Sequence, residues 1–345
     1  MPLELSALRV ERQRSPAYRE AMPAGSFPIL FITANRIGDA VLSSGLVAKL
    51  AAEVPNARFT IVAGPASAPL FLDVPNLDRV IVLEKVKGGG HWLKLWNEVR
   101  GREWGLIVDL RGSAISAVLR RQRRAVYRRH AGPPVHKVIE AARLLKLEDE
   151  AAPSPFLFTA PDTEALADEL TAGEGPILAL GPAANWVGKT WPVERFALVA
   201  IRLLGEGGPL AGGRLMVMGG PEDQGVLSSF RHVVPRERLI DLVGKVDLLT
   251  GYAALRRARL FVGNDSGLMH MAAAAGTPTI GLFGPSDDRL YAPWGPRTLV
   301  VRGARSFDQI RAADPELNQA ICHMMDLSVE TVAIAAIDLL AATES

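Results

Sequence analysis

Cysteine is nearly missing from this chain: Cys322 is the only one in 345 residues. An intrachain disulfide is excluded, and so is a zinc site built on several thiolates. A lone thiol fits a reducing, cytoplasmic setting. A charge excess of either sign is also lacking. The formal net charge is +2, so no overall field argues for a nucleic-acid partner. No apolar leader is visible, because residues 1–27 are interrupted by Glu4, Arg9, Glu11, Arg12, Arg14 and Arg19. They read as an N-terminal extension. The longest uncharged stretch, residues 266–286, contains His270, Gly276, Pro278, Gly281, Gly284 and Pro285. Those breakers describe helix, turn, strand and turn rather than a membrane span. Three motifs are absent as well: Asp-x-Asp, G-x-G-x-x-G and any His/Cys/carboxylate spacing typical of a metal site. The second absence removes the main signature of a dinucleotide oxidoreductase, and the third leaves no expected metal.

What is present is ordinary globular material, 48% hydrophobic and 22% charged, at a length that suggests two domains. Residues 29–33, 59–63, 79–83 and 106–110 are short apolar runs that predict buried strands. Helical spacing over 40–53, 91–100, 113–123 and 135–147 falls around them. After a stretch rich in acid, proline and glycine, the alternation restarts, with strands at 177–180, 214–218, 260–262 and 279–283. Helices are expected at 193–204, 268–275 and 328–341. Alternating strand and helix argues for parallel sheets covered on both faces. The expected fold is therefore α/β, with two Rossmann-like, doubly wound domains over 28–172 and 173–345. Such sheets bind ligands at the carboxyl ends of their strands, so a cleft lined by those loops is where function is sought.

In the first such loop, Arg36-Ile37-Gly38-Asp39, the aspartate stands where strand gives way to helix. Its spacing suits an N-cap best; a general base facing the cleft is the alternative, and helix-dipole stabilisation of the carboxylate serves either role. A second loop holds Gly188-Lys189-Thr190, but a P-loop would need glycine where Ala183 stands. What remains is a lysine just ahead of a helix opening near Pro192, suited to a phosphate or simply solvated. The third loop, Gly263-Asn264-Asp265-Ser266-Gly267, runs from an apolar strand directly into a small-residue helix carrying His270. Free amides at that helix start favour an anion, Gly267 admits close approach, and Ser266 and His270 share one helix face. A capped, packed helix is the plainer alternative.

Two further features concern the first half. Asp109 and Arg111 end the fourth strand and form either a buried ion pair or a substrate contact. Arg120, Arg121, Arg123, Arg124, Arg128 and Arg129 then crowd together with Tyr127 as the only aromatic among them. A run of one sign suits an anionic acceptor or anionic lipid headgroups, and nucleic acid less.

Together these loops resemble glycosyltransferase family 9, the lipopolysaccharide heptosyltransferases. The strongest part is residues 263–295, with Asp265-Ser266-Gly267, His270, Gly276-Thr277-Pro278 and Phe283-Gly284-Pro285-Ser286. Arg36-Ile37-Gly38-Asp39, Lys189-Thr190-Trp191-Pro192 and Cys322-His323-Met324-Met325 also look like the family's motifs. The resemblance implies a GT-B fold and inverting, metal-independent transfer from a nucleotide-sugar donor, commonly ADP-heptose, to an anionic lipopolysaccharide core acceptor. No cofactor is implied. Asp39 would be the base. Lys189, Asp265, Ser266, Gly267 and His270 would form the donor site, with Asp109, Arg111, Arg120, Arg123 and Arg124 on the acceptor side. The last helix can cross back to the first domain. Peripheral contact with the inner face of the plasma membrane would follow from such an acceptor. A cofactor-free nucleotide-sugar epimerase and a non-catalytic binding protein share the fold and stand as alternatives.

Overall fold

The computed structural model describes residues 25–128, 132–318 and 320–343. The extension expected at the amino terminus falls almost wholly outside them, as does Arg129. The chain divides into two compact units, 1–160 and 161–345.

The first unit carries a parallel sheet in the order β3-β2-β1-β4-β5. Its strands are β1 (Phe27–Ile32), β2 (Ala57–Ala63), β3 (Leu77–Val82), β4 (Trp104–Asp109) and β5 (Arg121–Val126). Fully buried runs such as Ile29, Leu30, Phe31 and Ile32 are what a sheet covered on both faces requires. On one face Leu30, Ile32, Val62 and Ile107 pack with Leu95 and Val99 of α2 (Gly90–Val99) and with Trp104. Helix α1 (Ile37–Glu53) has an unbroken buried run from Ala40 to Val47. Residues 153–156 cross α1 closely. Ser44 Oγ accepts from Phe156 N at 2.9 Å, and a Cβ on Gly45 would lie 2.5 Å from Pro153 O.

The helix expected over 113–123 is mostly not helix. It consists of a short α3 (Ile115–Val118) followed by strand β5. Arginines dominate β5, and only Ala125 in it is buried. Charged side chains on an edge strand discourage pairing with other chains, and this polar pattern carries no apolar period from which a strand could be read. Helix α4 (Lys137–Ala142) continues as one 3₁₀ turn, Arg143–Leu145, to complete the unit.

The second unit carries a six-stranded parallel sheet, β11-β10-β9-β6-β7-β8. Its strands are β6 (Ile177–Gly181), β7 (Arg214–Val217), β8 (Leu239–Asp241), β9 (Leu260–Asn264), β10 (Thr279–Phe283) and β11 (Thr298–Arg302). Counted from β6, this is the doubly wound order with its switch point between the first and fourth strands. Helix α5 (Pro161–Leu170) belongs here rather than to the first half. Arg257, after α7 (Leu248–Leu255), bonds Asp168 at 2.7 Å and Glu164 at 3.1 Å. Helix α6 (Val193–Leu204) buries Phe196, Val199, Ala200 and Leu203 in the core. Helices α8 (Gly267–Ala274), α9 (Asp288–Tyr291) and α10 (Phe307–Ala313) follow. The last helix, α11 (Val329–Ala342), sets Val332, Ala336 and Leu340 into the same core, and its Glu330 pairs with Arg202 of α6. Among the described residues no helix is long and apolar enough to cross a membrane.

The crossing of 153–156 over α1 generates a prediction. Gly45→Val puts side-chain carbons where backbone carbonyls already stand. It is expected to destabilise the first unit by about 1–3 kcal/mol, as overpacking does. Urea unfolding followed by circular dichroism measures it.

Candidate functional site

In the second unit the loops after β6 and β9 meet at the switch point. Asn264, fully buried at the end of β9, joins them. Its Nδ2 donates to Pro182 O at 2.7 Å, and its Oδ1 accepts from Trp191 N at 3.1 Å. Trp191 is itself buried edge-to-face against Phe196 and donates from Nε1 to Leu327 O at 3.0 Å. The intervening 3₁₀ turn, Val187–Lys189, is thereby fixed. Lys189 Nζ lies 3.1 Å from Asp265 Oδ2, and both side chains are mostly buried. On the other carboxylate oxygen, Oδ1, His270 Nε2 approaches to 3.9 Å.

Ser266 is the N-cap of α8, yet its side chain makes no capping hydrogen bond, and its buried Oγ has no hydrogen-bond partner. The first amides of the helix therefore have no side-chain acceptor from their own cap. A cation, a helix N-terminus and an unused hydroxyl converge here, which is the chemistry of an oxyanion site. Lys189, Asp265, Ser266, Gly267 and His270 are thus brought together in space.

The segment after α10 supports this loop from behind. His323 N donates to Gly188 O at 3.0 Å, Cys322 Sγ to Thr190 O at 3.3 Å, and the His323 ring meets Trp186 edge-on. A side chain at Gly188 would overlap the Trp186 ring. Arg302 holds the turn after β10 through Gly284 O, Ser286 O at 3.0 Å and Asp288 at 2.5 Å. Sequence reasoning gave no role to Asn264, Trp186 or Arg302. An interior polar residue at a strand end was the only available signal, and it pointed equally to turn chemistry.

In the first unit the corresponding loops follow β1 and β4. Asp39 is not the N-cap of α1. Arg36 holds that position without a side-chain bond, and Asp39 lies in the first turn, partly exposed. There the helix dipole favours its ionised form. Asp109 is fully buried and committed to its own loop. One oxygen accepts from Arg111 N at 3.0 Å, the other from Ser113 N at 2.9 Å and Ser113 Oγ at 2.7 Å. Its carboxylate therefore makes no hydrogen bond to the Arg111 guanidinium. That group stacks 4.9 Å over the Trp92 ring, and its buried Nη1 has no hydrogen-bond partner. Burial lowers the Arg111 pKa, while attraction to Asp109 opposes the shift.

The arginine run is not gathered at this loop. Parallel pairing sets Arg121 beside Trp104 and Val126 beside Asp109, so Arg120 lies at the opposite end of β4 from Arg111. Arg123 is exposed midway, and Arg124 Nε donates to Ser116 Oγ at 3.2 Å. Arg128, exposed just beyond β5, is the described member of the run nearest the site end. Among the described residues, no group of three His, Cys, Asp or Glu side chains is arranged to hold a metal ion.

Two doubly wound parallel sheets give the chain a fold of the GT-B type. The chain belongs to glycosyltransferase family 9 (heptosyltransferase), whose model matches residues 92–318. It is 26% identical over 310 residues to lipooligosaccharide heptosyltransferase 2 of Haemophilus influenzae, covering 79% of this chain and 88% of that one. Among solved structures, the glycosyl transferase family 9 protein of Veillonella parvula aligns with TM-score 0.74 at 21% identity, covering 94% of this chain and all of that one. The E. coli ADP-heptose lps heptosyltransferase II aligns with TM-score 0.70 at 20% identity, covering 92% and 100%.

The central amide is open to test. Asn264→Ala leaves Trp191 N and Pro182 O without their buried partner. The expected cost is about 2–4 kcal/mol from two unsatisfied backbone groups, read as a lowered urea midpoint. Unchanged stability would show that Asn264 does not hold the loops.

Proposed function

We propose that this enzyme moves a heptose from ADP-heptose to a lipopolysaccharide core acceptor, with inversion at the anomeric carbon and without a metal. The names of its relatives supply the donor and acceptor class. The observation that carries the reading is the arrangement of Lys189, Ser266 and the opening amides of α8. A leaving nucleoside diphosphate gains negative charge as the glycosidic bond breaks, and fixed donors aimed at it stabilise that charge. In this role Asp265, an acceptor-only group, holds Lys189 rather than touching phosphate, and His270 supports Asp265. Gly267 keeps the approach to the amides open.

Asp39 takes the proton from the acceptor hydroxyl. The hydroxyl oxygen forms the new bond to the anomeric carbon, and the electron pair of the broken bond leaves on ADP. Its place in the first turn of α1 keeps Asp39 ionised, as a base must be. Arg111, with Nη1 unused, is the residue we assign to an anionic group of the acceptor. Asp109 sets the loop. The exposed Arg120, just before β5, and Arg123 on it suit anionic headgroups, in keeping with a cytoplasmic enzyme that touches the inner membrane face peripherally.

The direct test is calorimetry with ADP-, GDP-, UDP- and dTDP-linked sugars in EDTA, followed by transfer assays. Tight binding of ADP-heptose, weakened by Lys189→Ala and kept by Asp39→Asn, is the expected pattern. Asp39→Asn should lower kcat by about 10²–10⁴-fold. Arg111→Ala should raise the acceptor KM by roughly 10–100-fold, the worth of a charged hydrogen bond, with donor affinity unchanged. Failure to bind any nucleotide sugar would sink the donor-site assignment, and full activity in Asp39→Asn would remove the base.

A further inference from the structure

The strands of the first sheet all run parallel, so the loop after β3 stands at the same end as the loops after β1 and β4. It reads Glu84-Lys85-Val86-Lys87-Gly88-Gly89 and leads through Gly90 and His91 into α2. Its shape is fixed from within. Val86 N donates to Nδ1 of the buried His91 at 3.3 Å, and Gly89 N to Val86 O at 3.2 Å. Gly88 (φ +79°) and Gly89 (φ +78°) adopt left-handed conformations that favour glycine. A Cβ on Gly88, Gly89 or Gly90 would meet nothing within 4 Å, so this turn stands clear of the rest of the unit.

Two large apolar side chains project from it. Val86 is 55% exposed, and Leu93, at 69%, is the most exposed large hydrophobic residue among those described. Leu93 lies on the side of α2 away from the buried His91, Leu95 and Val99. Scattered exposed leucines are common and need no explanation. These two are set among Lys85, Lys87 and Lys94, all exposed, and none of the three ammoniums has a hydrogen bond or ion pair among the described residues. Glu84 is the only acid over residues 84–94. Interfaces between proteins are depleted in lysine. A bilayer surface with anionic headgroups attracts lysine and takes apolar side chains into its headgroup layer. Unpaired lysines around exposed apolar tips therefore favour lipid over a protein partner.

We propose that residues 85–94 dock the protein on an anionic bilayer: Val86 and Leu93 enter the headgroup layer, and Lys85, Lys87 and Lys94 meet its phosphates. This surface is distinct from Arg120, which lies at the opposite end of β4 from Arg111. Trp92, next to Leu93, carries the Arg111 guanidinium 4.9 Å over its ring. Docking through this loop brings the arginine assigned to the acceptor close to the lipid in which such an acceptor is anchored. That link rests on the transfer proposed above, whereas docking by itself does not.

Co-sedimentation of the full chain with vesicles tests this, with neither donor nor acceptor present. The vesicles are phosphatidylcholine alone, or phosphatidylcholine and phosphatidylglycerol in equal parts. Binding is expected to the anionic vesicles and to fall as salt rises. Lys85→Ser with Lys87→Ser and Lys94→Ser should weaken it on the order of 100-fold, roughly fivefold per lysine. Val86→Ser with Leu93→Ser should weaken it roughly tenfold. Both variants should keep the wild-type transfer rate on a deacylated, water-soluble acceptor, which separates lost docking from lost folding. In wild-type protein, anionic vesicles should slow amide hydrogen exchange over 84–94. Vesicle binding by a protein without transfer activity would support docking and fail the proposed transfer alone. Equal binding by the lysine variant, or binding lost only in Arg120→Ser with Arg123→Ser, would overturn the proposal. So would a lipid-free dimer that Val86→Ser with Leu93→Ser breaks, which would give the surface to a second copy of this chain.

Discussion

One buried side chain, Asn264, sets the geometry of the second unit's site. Its amide joins the end of β9 to the loop after β6 by donating to Pro182 and accepting from Trp191. Trp191 in turn is tied to Leu327, so the segment before α11 is drawn into the same cluster. With those backbones fixed, Lys189 can be held against Asp265 at 3.1 Å in a mostly desolvated place. A lysine there without its carboxylate would be costly, and a carboxylate without its lysine equally so. The ion pair therefore depends on the amide.

The first unit solves a related problem with a different device. Asp109 is buried to organise the loop after β4, accepting from Arg111 N, Ser113 N and Ser113 Oγ. Because the carboxylate is used up by the loop, the Arg111 guanidinium is left to Trp92. An aromatic face suits a guanidinium that is poorly hydrated. Both loops thus place a buried acid close to a cationic residue, paired with its side chain in one and with its backbone in the other.

Arginines elsewhere show how much the position along a strand matters. Those of β5 share one short stretch of sequence, and parallel pairing sets them along β4 from Trp104 to Ile107, short of Asp109 at the site end. Arg121 and Arg124 are occupied with Ala117, Leu119 and Ser116. Arg214, far from any charge run in the sequence, ends buried beside a pocket with two other guanidiniums.

The sequence by itself determined the architecture. Apolar runs at 29–33, 177–180 and 279–283 are strands, 193–204 is a helix, and their alternation dictates parallel sheets. It also marked the loops at strand ends, because glycine, aspartate and lysine there have few packing reasons to exist. Periodicity could not reveal β5 or β8, since one is an arginine-rich edge and the other is only Leu239–Asp241. Nor could spacing decide what Asp39, Asp109 and Asp265 do. Each is an acid beside a helix or turn, and local chemistry allows cap, ion pair or base alike. Only the tertiary structure separated them. It showed that Arg36 takes the cap position of α1, that Asp109 spends its oxygens on amides, and that Asp265 faces Lys189 across 76 residues of chain. Such long-range pairings follow from strand order, and strand order is set by how two faces of a sheet are covered, which no short window of residues contains.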